Sequence, residues 1–216
     1  TDIMNIYRAV FSPMQVNTYI ITGNGKECVI IDCGCYGSAE EQKLEEMLSS
    51  GGLKPVMLID THCHLDHVFG NRFILGRYGL RPWFHEGERY NYNNAPKHSI
   101  MFGLSMEPPP DPEGYLSDGQ EITAAGLTLK VIAVPGHSPG GIALYSEADG
   151  ILFTGDALFA GSIGRSDLPG GDHEQLMENI RERLFVLPPE TVVYPGHGPE
   201  TTIREEMEHN PFFTQT

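Results

Sequence analysis

Several features of membrane and secreted proteins are missing from this sequence. No apolar run approaches the roughly 18–20 residues that a helix needs to cross a bilayer. The first residues, Thr1–Asn5, have neither the basic start nor the apolar core of a signal peptide. We therefore expect a cytoplasmic protein with no membrane partner, although a secreted form whose leader has been removed would look the same.

Positive charge is also scarce. The chain of 216 residues has 14 Lys and Arg against 29 Asp and Glu, which gives a formal net charge of −15. This balance argues against nucleic acids as partners, because polyanions are repelled by a negative surface. A small anionic substrate stays compatible with it, since bound divalent cations would dominate the local field. The composition is that of a globular protein, and we predict a single domain over residues 1–216, or two small halves that share a core.

Cysteine is limited to four residues, none of them in a C-x-x-C pair. Cys33 and Cys35 are too close in sequence for an ordinary structural disulfide, so we predict reduced thiols, as in cytosolic proteins. Cys63 lies between two histidines, but side chains alternate along an extended chain, and this turns Cys63 away from them. We interpret Cys63 as a packing residue.

The apolar segments of the chain predict a mixture of strands and helices. Short runs rich in β-branched residues predict strands at 28–32, 56–60, 127–135, 151–154 and 191–194. Capping residues followed by apolar residues at helical spacing predict helices after Ser38, near Val68, after Asp172 and after Thr202.

Residues 86–117 differ from the rest of the chain. They are rich in proline, and their aromatic residues and methionines follow no clear period. We predict an irregular segment, which is either a lid over a functional site or a plain surface loop.

The most informative stretch is 61–67, directly after the predicted strand 56–60. Within six positions it contains three histidines and one aspartate, which are His62, His64, Asp66 and His67. His62 and His64 point to the same side of an extended chain, and Asp66 is a good N-cap for a helix that starts near Val68. Imidazole and carboxylate groups bind zinc, iron and manganese, so this corner predicts a site for a pair of metal ions. The alternative is a polar loop that caps a helix.

Three further donors, His137, Asp156 and His197, follow predicted strands and stand next to glycine. Each alone has a simpler explanation, as a solvated residue or a hydrogen-bonded cap. Because strand ends of one sheet converge on one edge, we expect these ends to meet the 61–67 stretch there. Asp32, at the end of another strand, would either contact the metal loop or cap a turn.

Together these residues resemble the metallo-β-lactamase fold family over nearly the whole chain. The resemblance rests on T-H-C-H-L-D-H at 61–67, P-G-H-S at 135–138, T-G-D at 154–156 and P-G-H-G at 195–198. It implies an α+β fold, a four-layer αββα sandwich, with a cleft that holds two divalent ions. It also implies that His62, His64 and His137 bind one ion, that Asp66, His67 and His197 bind the other, and that Asp156 bridges them. The expected metal is zinc, with iron or manganese as alternatives.

Within that family, the segments 164–168 and 195–202 are similar to glyoxalase II-like thioesterases. This similarity implies hydrolysis of an S-(2-hydroxyacyl)glutathione or a related thioester by metal-activated water. Asp66 would orient that water, and Arg165 would bind a substrate carboxylate unless it forms a structural ion pair with Asp167 or Asp172. The chain ends before the helical domain that holds glutathione in longer members. Arg165 also stands where they have lysine, so we expect a short form whose thiol carrier need not be glutathione.

Other readings fit parts of the pattern. A persulfide dioxygenase, with one iron held by two histidines and an aspartate, also has residues like Thr61–His64 and Gly164–Arg165. A β-lactamase fits less well, because the loop residues are similar to those of glyoxalase relatives. A non-enzymatic metal-binding protein would be expected to have lost ligands. The sequence carries no signal for an oligomeric state.

Overall fold

The computed structural model describes residues 3–214, which divide into two compact units. The first unit comprises residues 3–116 and 123–127, and the second comprises 117–122 and 128–214. Within 3–214, none of the helices combines the length and apolar character that crossing a membrane requires.

The first unit is built on a six-stranded sheet in which the strands follow one another in chain order. These strands are β1 (Asn5–Phe11), β2 (Val16–Thr22), β3 (Glu27–Ile31), β4 (Lys54–Ile59), β5 (Pro82–His85) and β6 (Gly114–Leu116). The pairs β1–β2 and β2–β3 are antiparallel, and the pairs from β3 to β6 are parallel. Parallel strands are buried on both faces, which explains why the β-branched runs in β3 and β4 are almost continuous. Both strands were predicted.

Four helices accompany this sheet, and their termini differ from the predictions in two places. They are α1 (Ser38–Gly51), α2 (Leu65–Val68), α3 (Asn71–Tyr78) and α4 (Arg89–Met101). The predicted capping box at Ser38 is wrong, because Gly37 precedes α1 and no side chain caps it. Glu40, in the first turn of α1, has a carboxylate that accepts from the backbone N–H groups of Ser12 and Tyr36. Asp66 lies inside α2 and is not the N-cap of a helix at Val68, which is the second correction.

The prediction of an irregular segment at 86–117 is wrong for most of its length. The segment begins with a 3-10 turn at Glu86–Glu88, continues as α4 and ends in β6. Two of the buried residues of α4 are the polar Asn91 and Ser99, and Pro96 lies within the helix. These residues hide the helical period from a search for apolar spacing.

The second sheet also has six strands, in the order β14-β13-β10-β9-β8-β7. Its strands are β7 (Glu121–Ala124), β8 (Leu127–Ala133), β9 (Ile142–Ser146), β10 (Ile151–Gly155), β13 (Val192–Pro195) and β14 (Thr201–Thr202). A separate hairpin joins β11 (Leu158–Phe159) and β12 (Ser162–Ile163). The predicted strands at 127–135, 151–154 and 191–194 are confirmed within two residues.

The helices of the second unit are α5 (His173–Asn179), α6 (Ile203–His209) and α7 (Pro211–Thr214), and a π-helical turn at Ile180–Leu184 continues α5. The predicted caps are confirmed, since Asp172 and Thr202 accept from the N–H groups of Gln175 and Glu205. The apolar residues at helical spacing after Asp172, which are Leu176, Ile180 and Leu184, are fully buried in one core cluster.

The topology positions the donors at strand ends, but in two sheets. β8 and β10 are both antiparallel to β9, and β13 is parallel to β10, so β8, β10 and β13 run in one direction. His137, Asp156 and His197 follow these three strands and therefore lie at one edge of the second sheet. The 61–67 stretch follows β4 in the first sheet, beside the end of β3. The prediction that all four strand ends belong to one sheet is wrong.

Candidate metal centre

The first unit brings together the four donors of the 61–67 stretch. The ring centroids of His62 and His64 lie 4.9 Å apart, and those of His62 and His67 lie 4.0 Å apart. His67 Nε2 lies 3.5 Å from Asp66 Oδ2. The side chains of His67 and Asp66 are 0% and 5% exposed, so this cluster is nearly closed to solvent.

Asp32 supports these donors from the end of β3. Its carboxylate accepts from Thr61 N at 2.7 Å, from Thr61 Oγ1 at 2.7 Å and from His67 Nδ1 at 2.9 Å. Thr61 Oγ1 in turn lies 3.2 Å from His62 Nδ1. Asp32 has φ +54°, a left-handed conformation that aspartate tolerates better than most residues and that often marks functional sites. Of the two roles left open for Asp32, the structure therefore favours contact with the metal loop.

A second buried carboxylate holds the same stretch from the other side. Glu88 Oε2 accepts from the backbone N–H of Cys63 at 2.8 Å. Glu88 lies in the segment predicted to be irregular, and no spacing or capping pattern singled it out. Sequence reasoning missed it for that reason.

Burial also sets the chemistry of the residues next to the donors. It raises the pKa of the Asp60 carboxyl well above its ordinary range, and the neighbouring Asp32 carboxylate raises it further. Burial likewise raises the pKa of the Cys63 thiol, to which the nearby carboxylates contribute. A buried thiol with a raised pKa is a poor nucleophile, and Cys63 packs in an apolar cluster, as predicted. All four cysteines are buried free thiols in this structure, and the reduced state of the protein stays a prediction.

The second unit brings together His137, Asp156 and His197. Asp156 Oδ2 lies 3.6 Å from His137 Nε2 and 3.4 Å from His197 Nε2, so one carboxylate oxygen faces two imidazoles from separate strand ends. His137 Nδ1 donates to the backbone oxygen of Arg165 at 2.6 Å. The backbone at Gly164 passes close to both Asp156 and His137. A Cβ atom on Gly164 would clash with the backbone oxygen of Asp156 and lie 2.9 Å from His137 Nδ1.

Both clusters fit metal ions. A tetrahedral ion with bonds of about 2.0–2.1 Å holds neighbouring donor atoms about 3.3–3.4 Å apart, close to the 3.4–3.6 Å between carboxylate oxygens and Nε2 atoms in both clusters. His67 and His137 each use Nδ1 for a hydrogen bond, which presents Nε2 as the ligand atom, as is usual for metal-binding histidines. The imidazole and carboxylate donors support two divalent metal ions.

Arg165 lies on the loop after Asp156, with its side chain 56% exposed. It forms a two-point ion pair with Asp167, with distances of 2.7 and 2.8 Å. The hydrogen bond from Arg165 lowers the pKa of Asp167 to about 2. The ion-pair alternative is thus realised with Asp167, and a substrate contact of Arg165 stays a prediction.

Several known proteins are similar to this chain over most of its length. The model of the metallo-beta-lactamase superfamily matches residues 11–197. A probable metallo-hydrolase of Bacillus subtilis, YqgX, is 32% identical and the match covers 95% of each chain. The hydroxyacylglutathione hydrolase GloC of Haemophilus influenzae is 34% identical, over 97% of this chain and 98% of its own. These relatives support a hydrolase.

Solved structures show the same fold. The B3 metallo-beta-lactamase BLEG-1 has a TM-score of 0.90 and 34% identity, over 98% of this chain and 100% of its own. TTHA1623 in a di-iron-bound form has a TM-score of 0.86 and 38% identity, over 95% and 99%. ETHE1 from Myxococcus xanthus has a TM-score of 0.78 and 26% identity, over 96% and 83%. The predicted α+β class and fold are confirmed, and the chain belongs to the metallo-β-lactamase superfamily.

Proposed function

We propose that this metallo-hydrolase is a glyoxalase II-like thioesterase with a binuclear metal centre. The donors of both units would share this centre, with His62, His64 and His137 on one ion and Asp66, His67 and His197 on the other. Asp156 would bridge the ions, and its oxygen Oδ2, which faces two ring nitrogens, supports this role. We propose zinc as the resident metal.

The observation that carries the proposal is the shared geometry of the two donor clusters. In each cluster a carboxylate oxygen lies 3.4–3.6 Å from an Nε2 atom, and the ring Nδ1 of His67 or His137 is held by an acceptor. Rings held in this way are already aligned, so little reorganisation is needed when a cation binds.

Two divalent ions, when bound, would polarise the thioester carbonyl and lower the pKa of water to about 7. The protein supplies the positioning. Asp66 would orient the attacking water, take up its proton and pass it to the thiolate that leaves when the thioester C–S bond breaks. Arg165 would exchange its ion pair with Asp167 for a substrate carboxylate, because guanidinium groups bind carboxylates at two points.

The thioester class is supported by the GloC relative, whose name specifies hydroxyacylglutathione. The direct test measures turnover of S-lactoylglutathione and of a panel of other thioesters by the metal-loaded protein, with a cephalosporin as a comparison substrate. We expect thioester hydrolysis, and we expect His64→Ala and Asp156→Ala each to remove bound metal and turnover together. Turnover that survives without metal would refute the mechanism.

The second candidate is a persulfide dioxygenase with a single iron. The structural similarity to ETHE1, with a TM-score of 0.78 and 26% sequence identity, is the observation that favours this second candidate. The two candidates differ in metal count and in oxygen use. One iron per chain with oxygen uptake on glutathione persulfide would favour the dioxygenase, whereas two metals and no oxygen uptake would favour the thioesterase.

A further inference from the structure

The backbone that connects His62 to His64 is not part of a helix or a strand. Residues 60–64 lie between β4 and α2, and most of them are buried. A buried N–H group outside regular structure must find another acceptor, because leaving it unpaired costs about 1–3 kcal/mol. For Cys63 that acceptor is the Glu88 carboxylate, at 2.8 Å.

Glu88 is fully buried, although glutamate is rarely found in protein interiors. It lies at the junction between the 3-10 turn and α4, where a carboxylate is favoured by the helix N-terminus. Asn91, in the first turn of α4, donates to the same oxygen, Oε2, at 3.3 Å. The carboxylate is therefore held by its own helix while it binds the metal-binding stretch.

The surroundings of this contact are apolar. Cys63 packs in a buried cluster with Phe84, Tyr92 and Ala95, and the rings of Phe84 and Tyr92 lie 4.6 Å apart. Water therefore does not compete for the Cys63 N–H, and in a low dielectric the hydrogen bond is stronger than it would be at the surface. A carboxylate at the start of α4 therefore fixes the backbone of the stretch at Cys63.

Glu88 and Asp32 act on alternate residues of the stretch. Asp32 accepts from the N–H of Thr61, and Glu88 accepts from the N–H of Cys63, so His62 lies between the two anchored amides and His64 directly follows the second. We propose that Glu88 is a positioning residue for the metal centre, fixing the backbone that presents His62 and His64. This inference rests on the proposed metal centre and adds α4 to the elements that shape it.

Metal affinity tests this role separately from catalysis. Apo-protein is titrated with Co²⁺ against a chromophoric chelator, and the visible spectrum of bound Co²⁺ reports the ligand geometry. We expect Glu88→Ala to weaken binding about 10–100-fold, as losses of residues that orient metal ligands do, and to change the spectrum. Glu88→Gln keeps an acceptor oxygen at the same reach and should recover at least half of the loss on a logarithmic scale.

Glu206 provides a matched control in the second unit. It is buried and accepts from the backbone N–H of Gly161 at 2.7 Å and from the Thr201 hydroxyl at 2.6 Å, and none of these residues is a proposed ligand. Glu206→Ala should lower the melting temperature of the apo-protein and leave Co²⁺ affinity and spectrum unchanged. An equal loss of Co²⁺ affinity in Glu206→Ala would mean that the loss of any buried carboxylate weakens metal binding by destabilising the fold. That result would overturn the proposal.

If Glu88→Ala does not fold, Glu88→Asp replaces it, because aspartate keeps the carboxylate but is one methylene too short for the contact. Wild-type affinity and spectrum in Glu88→Asp, or in folded Glu88→Ala, would overturn the positioning role. If the wild-type protein binds Co²⁺ and the variants show these effects, but the wild type hydrolyses no thioester, only the proposed reaction would be refuted. A wild-type protein that binds no Co²⁺ would refute both.

Discussion

The two donor clusters are supported in different ways. In the first unit, four donors come from one short stretch, and the carboxylates of Asp32 and Glu88 anchor it through side-chain hydrogen bonds. In the second unit, three donors come from separate strand ends, and the described support of His137 is the backbone oxygen of Arg165. The first cluster depends on buried side chains, and the second depends on where the backbone runs.

This difference follows from how each segment is built. A stretch between a strand and a four-residue helix has few backbone hydrogen bonds of its own, so side chains must fix it. Strand ends are already positioned by the sheet, so a close backbone contact at Gly164 is enough to orient the donors. Substitutions should therefore affect the first cluster by removing side-chain hydrogen bonds, and the second cluster by introducing steric clashes with the backbone.

The largest effect is expected at Gly164. In Gly164→Ala the new methyl group clashes with the backbone oxygen of Asp156 and crowds His137, which displaces two donors. We expect a loss of about 3 kcal/mol in the free energy of unfolding, measured with urea, and a loss of bound metal, measured by elemental analysis. Gly76→Ala is the control, because a Cβ there meets no atom within 4 Å, and it should be neutral or slightly stabilising. If both variants lost the same stability and the same amount of metal, the second cluster would not depend on the close backbone contact at Gly164.

The next effect is expected at Asp32. Asparagine tolerates the left-handed backbone at this position, so Asp32→Asn isolates the side-chain chemistry. Its single acceptor oxygen cannot serve Thr61 N, Thr61 Oγ1 and His67 Nδ1 together, and we expect metal affinity to fall about 10–100-fold in a chelator competition. Unchanged affinity would show that the first cluster does not need its carboxylate support.

A smaller and more selective effect is expected at Arg165. Its backbone oxygen, which alanine keeps, holds His137, so Arg165→Ala should leave metal content unchanged. If the side chain binds a substrate carboxylate, kcat/KM for S-lactoylglutathione should fall by about tenfold, the scale of a lost charge-assisted hydrogen bond. Loss of metal in this variant would contradict backbone support of the second cluster.

The last effect appears only at alkaline pH and concerns the first unit, which contains all four cysteines. Burial raises the pKa of the Cys28 thiol from 9.0 to about 12. The folded state keeps this proton while the unfolded chain loses it near pH 9, so the stabilisation is complete below pH 9 and is lost as pH rises towards 12. In Cys28→Ala the decline of unfolding free energy above pH 9 should be shallower by up to about 1.4 kcal/mol per pH unit. If the unfolding free energies of the wild type and Cys28→Ala fell in parallel above pH 9, the Cys28 thiol would not have a raised pKa in the folded state.

The strands and most donors could be predicted from sequence because their signals are local. A β-branched run followed by histidine or aspartate beside glycine marks a strand end, and this placed His137, Asp156 and His197 correctly after strands. The division of the donors between two sheets could not be predicted, since strand patterns do not say which strands pair. The resemblance implied the fold, which the spacing alone did not.

The supporting residues were harder to predict than the donors. Asp32 had a local signal, its position at a strand end, whereas Glu88 contacts a residue 25 positions away and had none. The helix that begins directly after Glu88, α4, was missed because its buried side includes Asn91 and Ser99, which do not count as apolar. Asp66 was assigned as a cap because aspartate favours that position, but its helix begins one residue earlier.

The number of metal ions per chain tests the account most directly. Elemental analysis of the purified, metal-saturated protein should give two divalent ions per chain in the wild type, and fewer in both His64→Ala and Asp156→Ala. A single ion per wild-type chain, bound with full affinity after Asp156→Ala, would contradict a centre that both clusters share.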